Sequence, residues 1–163
     1  GFTHIDFEQV STIDDFCFAN CSLLHSFSIM KAKQAFLKEH VFENCEKFDY
    51  VDVQASELFE ASKFCFYSKL KKFKDFSISS KKICISKQCF ELCPYLKQIN
   101  CQSANQIDYF DTQFNGVAPN EFFKCQATTK LKKMAVDDDV EKRDEGMTKK
   151  LTGFLKIFKG SET

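Results

Sequence analysis

Ser11-Thr12-Ile13-Asp14-Asp15-Phe16-Cys17-Phe18-Ala19-Asn20-Cys21-Ser22-Leu23-Leu24-His25-Ser26-Phe27 opens on a helix-start signal and continues in spaced apolar residues. Its first four residues resemble a capping box, with an acid three positions after the Ser. Phe16, Ala19, Leu23, Leu24 and Phe27 then recur at helical spacing. The stretch predicts a first helix over about 12–27. Either Ser28 caps a second helix, which carries Ala32, Ala35 and Phe36 and ends near Lys38-Glu39, or the register runs through as one long helix to about Glu46.

Working outward, Phe48-Asp49-Tyr50-Val51-Asp52-Val53 alternates apolar and acidic side chains, a short strand signal. Ala55, Leu58, Phe59, Ser62, Cys65, Phe66 and Leu70 return to helical spacing up to about Asp75. Phe76-Ser77-Ile78-Ser79 and Ile83-Cys84-Ile85-Ser86 alternate with period two, and Gln106 to Phe110 is a third strand candidate. A helix over about 87–93 stops before Pro94, and Pro119-Asn120 opens another through about Lys133. Asn115-Gly116 is the strongest turn signal. No internal repeat is apparent. Gly and Pro total seven, so long helices are expected over many-stranded sheets.

The expected fold is mainly α with minor β. It is a single helix-rich α+β domain with two or three short strands and a C-terminal amphipathic helix. Residues 1–134 form the domain, 135–147 a charged linker and 148–163 the basic amphipathic helix. The expected core is Phe-dominated: Phe16, Leu23, Leu24, Phe27, Phe36, Leu58, Phe59, Phe66 and Leu70.

The 163 residues carry 20 Phe, no Trp, 9 Cys and a net charge of zero. Phe and Lys are both written with A/T-only codons, which suggests an AT-rich genome, viral or parasitic. No run of 18 apolar residues exists, so no transmembrane helix is expected. Charge is uneven along the chain. Residues 1–60 hold 4 Lys and 11 acids, whereas 61–100 hold 9 Lys and 2 acids. Lys69, Lys71, Lys72, Lys74, Lys81 and Lys82, interleaved with Phe73 and Phe76, form a candidate basic surface for nucleic acid. The same pattern also describes a Phe core face backed by a Lys solvent face.

The cysteines are odd in number, which rules out complete internal pairing and favours an intracellular setting over a secreted one. Buried, reduced thiols acting as small apolar residues are the plain reading. Two alternatives stay open. Cys17-x3-Cys21 and Cys89-x3-Cys93 on two antiparallel helices would permit bridges Cys17 to Cys93 and Cys21 to Cys89. Cys84, Cys89, Cys93 and Cys101 place four thiolates within 18 residues, enough for a tetrahedral zinc site, although no C-x2-C knuckle is present.

No Gly-rich phosphate loop, H-E-x-x-H or G-x-S-x-G is present, so no catalytic residue is assigned and no cofactor other than zinc is considered. Leu151, Phe154, Leu155 and Phe158 fall on one helical stripe with Lys149, Lys150, Lys156 and Lys159 beside it. That helix would dock on a protein partner or an anionic membrane surface. The leading reading is a non-catalytic interaction module, a processed piece or excised domain of a larger polypeptide. The alternatives are a secreted disulfide-stabilised helical protein and a small zinc- or nucleic-acid-binding accessory domain.

Overall fold

The computed structural model describes residues 2–67 and 72–135. Strand accounts for 41% of the described residues and helix for 3%, which overturns the helix-rich α+β expectation. The elements run β1 (His4–Phe7), β2 (Thr12–Ile13), β3 (Ser26–Leu37), β4 (Tyr50–Ala61), β5 (Asp75–Ser79), β6 (Lys82–Ile85), β7 (Ile99–Asn100), β8 (Gln106–Tyr109), α1 (Pro119–Phe122), β9 (Phe123–Lys124) and β10 (Lys130–Lys133).

Every strand pairing is parallel, and the pairings form two ladders. The first joins β1, the start of β3, the start of β4, then β5, β7 and β9. The second joins β2, the end of β3, the end of β4, then β6, β8 and β10. Partners recur about every 24 residues, as in Lys82, Gln106 and Lys130. Parallel strands this close in sequence cannot be joined by hairpins. The chain instead coils, laying each turn on the one before. This is a β-solenoid, whose coils bury a core only by stacking.

Each coil bends between its two strands. In β3 and β4 the bend is a pair of compensating bulges, with one extra residue in β3 before Ala32 and one in β4 after Ala55. Ala32, Ala55, Ser80 and Ala104 are buried where the backbone corners. Inward rows elsewhere are larger apart from Ala35: Phe27, Val51 and Phe76 on the first ladder, and Ala35, Phe59, Ile83 and Ile107 on the second. The strands expected at 48–53, 76–79, 83–86 and 106–110 are present as the start of β4, β5, β6 and β8.

The segment that closes each coil explains why 12–27 looked helical. Cys17, Ala19, Cys21 and Leu24 each donate their N–H to the carbonyl three residues back, at Asp14, Phe16, Phe18 and Cys21. Successive turns therefore bring Phe18, Cys21 and Leu24 to one side at a spacing of three, which overlaps the i, i+3 pattern of a helix. The backbone is not helical, because Phe16 and Asn20 have positive φ of 57° and 64°. Other donors leave the coil altogether: Phe16, Phe18 and Asn20 bond Glu39, Val41 and Glu43 of the next. The same correction applies at 28–46, 87–93 and the described part of 55–75, where coils replace the expected helices. The helix expected from Pro119 to Lys133 is reduced to α1.

The core is Phe-rich, as expected, but its membership differs. Leu24, Phe27, Phe59 and Phe66 are buried, whereas Phe16 and Leu23 face solvent. The centre is a stack spaced by one coil: Phe18 on Phe42 (centroids 6.0 Å), Phe42 on Phe66 (5.3 Å) and Phe66 on Phe90 (5.4 Å), all within 19° of coplanar. Below it Cys45 and Cys93 donate their thiols to the carbonyls of Phe18 and Phe66 in the preceding coil, each at 3.0 Å. No helix among the described residues is long and apolar enough to cross a membrane.

A candidate binding face on the first ladder

Strand pleating sends alternate residues of the first ladder outward. Parallel register then aligns them into rows across the coils. One row is His4, Ser26, Tyr50 and Asp75; the next is Asp6, Ser28, Asp52, Ser77, Asn100 and Lys124. Both rows are polar throughout, and Lys124 is their first cation. Neighbours along a row sit about 4.8 Å apart, the spacing of adjacent strands. They hydrogen-bond accordingly: the Ser28 hydroxyl donates to the Asp6 carboxylate, and His4 Nδ1 bonds the Ser26 hydroxyl. The column just before the strands carries His25, Asp49 and Lys74, with His25 Nδ1 3.9 Å from Asp49.

Asp6, Asp49, Asp52 and Asp75 thus place four carboxylates on one side of the first four coils. Their field is visible on Tyr50, whose phenol is held above its ordinary pKa by partial burial and by the charges of Asp52 and Asp75. Imidazoles, hydroxyls and a phenol between the carboxylates supply both donors and acceptors.

The second ladder's outward face is built differently. Its middle row runs Phe36, Glu60, Cys84, Asp108 and Lys132. Glu60, Cys84 and Asp108 are almost fully covered. Asp108 is 3.8 Å from Lys82 Nζ and accepts a 2.8 Å bond from Gln106 Nε2. The Asp108 charge is engaged within the face. A third surface lies on the closing turns, where Phe16 stacks on His40 at 4.8 Å and His40 on Phe64 at 5.4 Å.

The cysteines named for zinc do not converge. Cys84 faces outward on β6, Cys89 and Cys93 lie in a closing turn, and Cys101 points inward after β7. Among the described residues no group of three or more His, Cys, Asp or Glu side chains is arranged to hold a metal ion. Cys17 and Cys21 occupy the same places in their coil as Cys89 and Cys93, three coils away. At about 4.8 Å per coil that separation exceeds what a disulfide spans, so neither expected bridge has its geometry. Lys72, Lys74, Lys81 and Lys82 are exposed, but β5 separates the first two from the last two. Lys69, Lys71 and the docking helix with Leu151, Phe154, Leu155 and Phe158 lie outside the described residues.

The missed signal was periodic. Phe18, Phe42, Phe66, Phe90 and Phe114 recur every 24 residues, with Cys21, Cys45 and Cys93 three positions later. A fixed period of 20–29 residues marks a solenoid. Reading it would have placed Ser28 and Asp52 on one outward row, which Asp6 joins only through the shorter first coil.

The coils therefore define a repeat protein of the parallel β-solenoid class, in which surface rows are assembled from many short, equivalent segments. The chain matches the BspA type leucine rich repeat region in six copies over residues 1–114, and it belongs to that family. Leucine-rich repeats are generally protein-interaction modules. No curated protein and no solved structure matches the chain.

Proposed function

We propose that the chain is a non-catalytic binding module that recognises a basic protein segment on the outward face of its first ladder. The observation that carries this reading is the pair of continuous polar rows, with Asp6, Asp49, Asp52 and Asp75 concentrated in the first four coils and no cation on the rows before Lys124. An extended peptide laid across the strands presents same-face side chains every ~6.6 Å, and long, flexible cationic side chains at that spacing can reach carboxylates set one and two coils apart. Such a face steers a basic partner by charge and loses affinity as salt rises.

The test is fluorescence anisotropy with labelled oligolysine and oligoglutamate peptides. Oligolysine should bind and oligoglutamate should not. The triple variant Asp6→Asn, Asp52→Asn, Asp75→Asn should weaken oligolysine binding at least ~10-fold, as expected if each lost charge contact is worth about 0.5–1 kcal/mol. Oligolysine affinity unchanged in a folded triple variant would overturn the assignment of the face.

A further inference from the structure

Three pairs of cysteines sit one coil apart in the same row. Cys101 and Cys125 continue the in-register pairing of Ile99 with Phe123 and Asn100 with Lys124, and the Cys101 N–H bonds the Lys124 carbonyl at 2.9 Å. Cys65 and Cys89 occupy equivalent closing turns, tied by Phe64 N–H to Gln88 O and Phe66 N–H to Cys89 O. The Cys65 thiol lies close enough to act on that of Cys89. Cys21 and Cys45 follow Asn20 and Asn44, whose side chains bond at 3.0 Å, and Cys45 Sγ also meets the backbone of Cys21. Stacked coils hold equivalent Cα atoms about 4.8 Å apart, inside the range a disulfide accepts.

We propose that Cys21–Cys45, Cys65–Cys89 and Cys101–Cys125 are disulfide-forming pairs that staple adjacent coils when the protein meets a small-molecule disulfide. The remaining three, Cys17, Cys84 and Cys93, have no cysteine at the matching place in a neighbouring coil: positions 41, 60, 108 and 117 are Val41, Glu60, Asp108 and Val117, and position 69 is Lys69. In each stapling step a protein thiolate attacks the small disulfide, giving a mixed disulfide and one free small thiol. The partner thiolate then attacks the protein sulfur and displaces the second small thiol. Two protein thiols are oxidised, one disulfide is reduced to two thiols, and the two protons lost by the protein end on them.

Access sets the order. Cys21 and Cys125 are partly exposed, so each offers an entry thiol to a buried resolving partner, Cys45 or Cys101. Burial pushes both partners up to about 12, which slows the second step. Cys65 and Cys89 are both buried, and burial holds the Cys89 thiol well above its usual range. That pair closes last and needs a local opening of the coils.

The experiment is oxidation of the full chain in a glutathione disulfide buffer, followed by thiol counting in denaturant and non-reducing peptide mapping. The expected result is a fall from nine thiols to three, with cross-linked peptides joining 21 to 45, 65 to 89 and 101 to 125. The melting temperature should rise by roughly 10 °C over the reduced protein and return with a reductant. Bridges between other cysteines, such as Cys17 with Cys21 or Cys89 with Cys93, would overturn the proposal. So would glutathione adducts alone with no bridge, or a full set of nine thiols after oxidation.

Discussion

The closing turns of the first four coils and that of the fifth do the same job with different chemistry. In the first four, Phe18, Phe42, Phe66 and Phe90 stack nearly coplanar, one per coil. In the fifth, Phe114 meets Phe90 edge-on, at 6.3 Å and 67°, and stacks instead on Phe122 at 4.6 Å. The local cause is the turn. Asn115 and Gly116 both have positive φ, Phe114 and Val117 exchange backbone hydrogen bonds around them, and Pro119 then starts α1. The strands do not register the change: Gln106 still faces Lys130 and Ile99 still faces Phe123, 24 residues on. Coil length, not turn type, keeps the ladders aligned. An aromatic core re-forms around whichever turn supplies that length.

The largest test of this contrast is at the middle of the stack. Phe66 is fully buried and touches Phe42, Phe48, Phe73, Phe76 and Phe90. Phe66→Ala should cost about 3–5 kcal/mol in chemical denaturation. Phe18→Ala, at the outer end of the stack and slightly exposed, should cost less. Equal losses would mean that the stack is not a continuous core.

Gly116 sharpens the other side. Its φ is +84°, and an added Cβ would meet nothing within 4 Å. Gly116→Ala should therefore lose only the cost of a left-handed backbone, about 1–2 kcal/mol. A larger drop in the denaturation midpoint would reveal packing that the open space around Gly116 does not predict.

Leu92 offers a gain of smaller size. It holds φ 68° and is 44% exposed, at the place where the first two coils have Asn20 and Asn44 with φ 64° and 60°. Asn tolerates this conformation better than Leu. Leu92→Asn should raise stability by roughly 0.5–1 kcal/mol, read as a shift in thermal midpoint. A loss would show that Leu92 contributes contacts its exposure conceals.

The smallest effect is expected at Asp111, where the fourth coil meets the irregular fifth. Its carboxylate accepts the Gln88 N–H at 2.9 Å. Burial first, and then Glu91, hold its pKa above the ordinary carboxylate value, against the opposing pull of the Gln88 N–H and Lys87. A raised carboxylate pKa favours the folded state when protonated, and that advantage is lost as pH rises through the folded pKa. Asp111→Asn keeps an acceptor for Gln88 and removes the charge. It should therefore stabilise the protein slightly at neutral pH, with the difference vanishing below about pH 4. A variant less stable than wild type at neutral pH would contradict this.

Much of the architecture was legible before folding. The alternation at Tyr50–Val53, Phe76–Ser79, Ile83–Ile85 and Gln106–Tyr109 is that of strands, and all of these are strands. Asn115-Gly116 is a turn because Gly takes a positive φ without strain. The recurrence of Phe every 24 residues from Phe18 to Phe114 is also in the chain, and by itself it determined a stacked, repeating core. Tertiary structure decided what the closing segments are. Their i, i+3 spacing suits a helix and a run of tight turns alike, and local propensity does not separate the two. The choice falls to the turns because Phe16, Phe18 and Asn20 find their acceptors in the next coil, at Glu39, Val41 and Glu43. The binding face has the same origin. Asp6, Ser28 and Asp52 are neighbours because parallel register stacks coils about 4.8 Å apart, a proximity that exists only once the coils are wound.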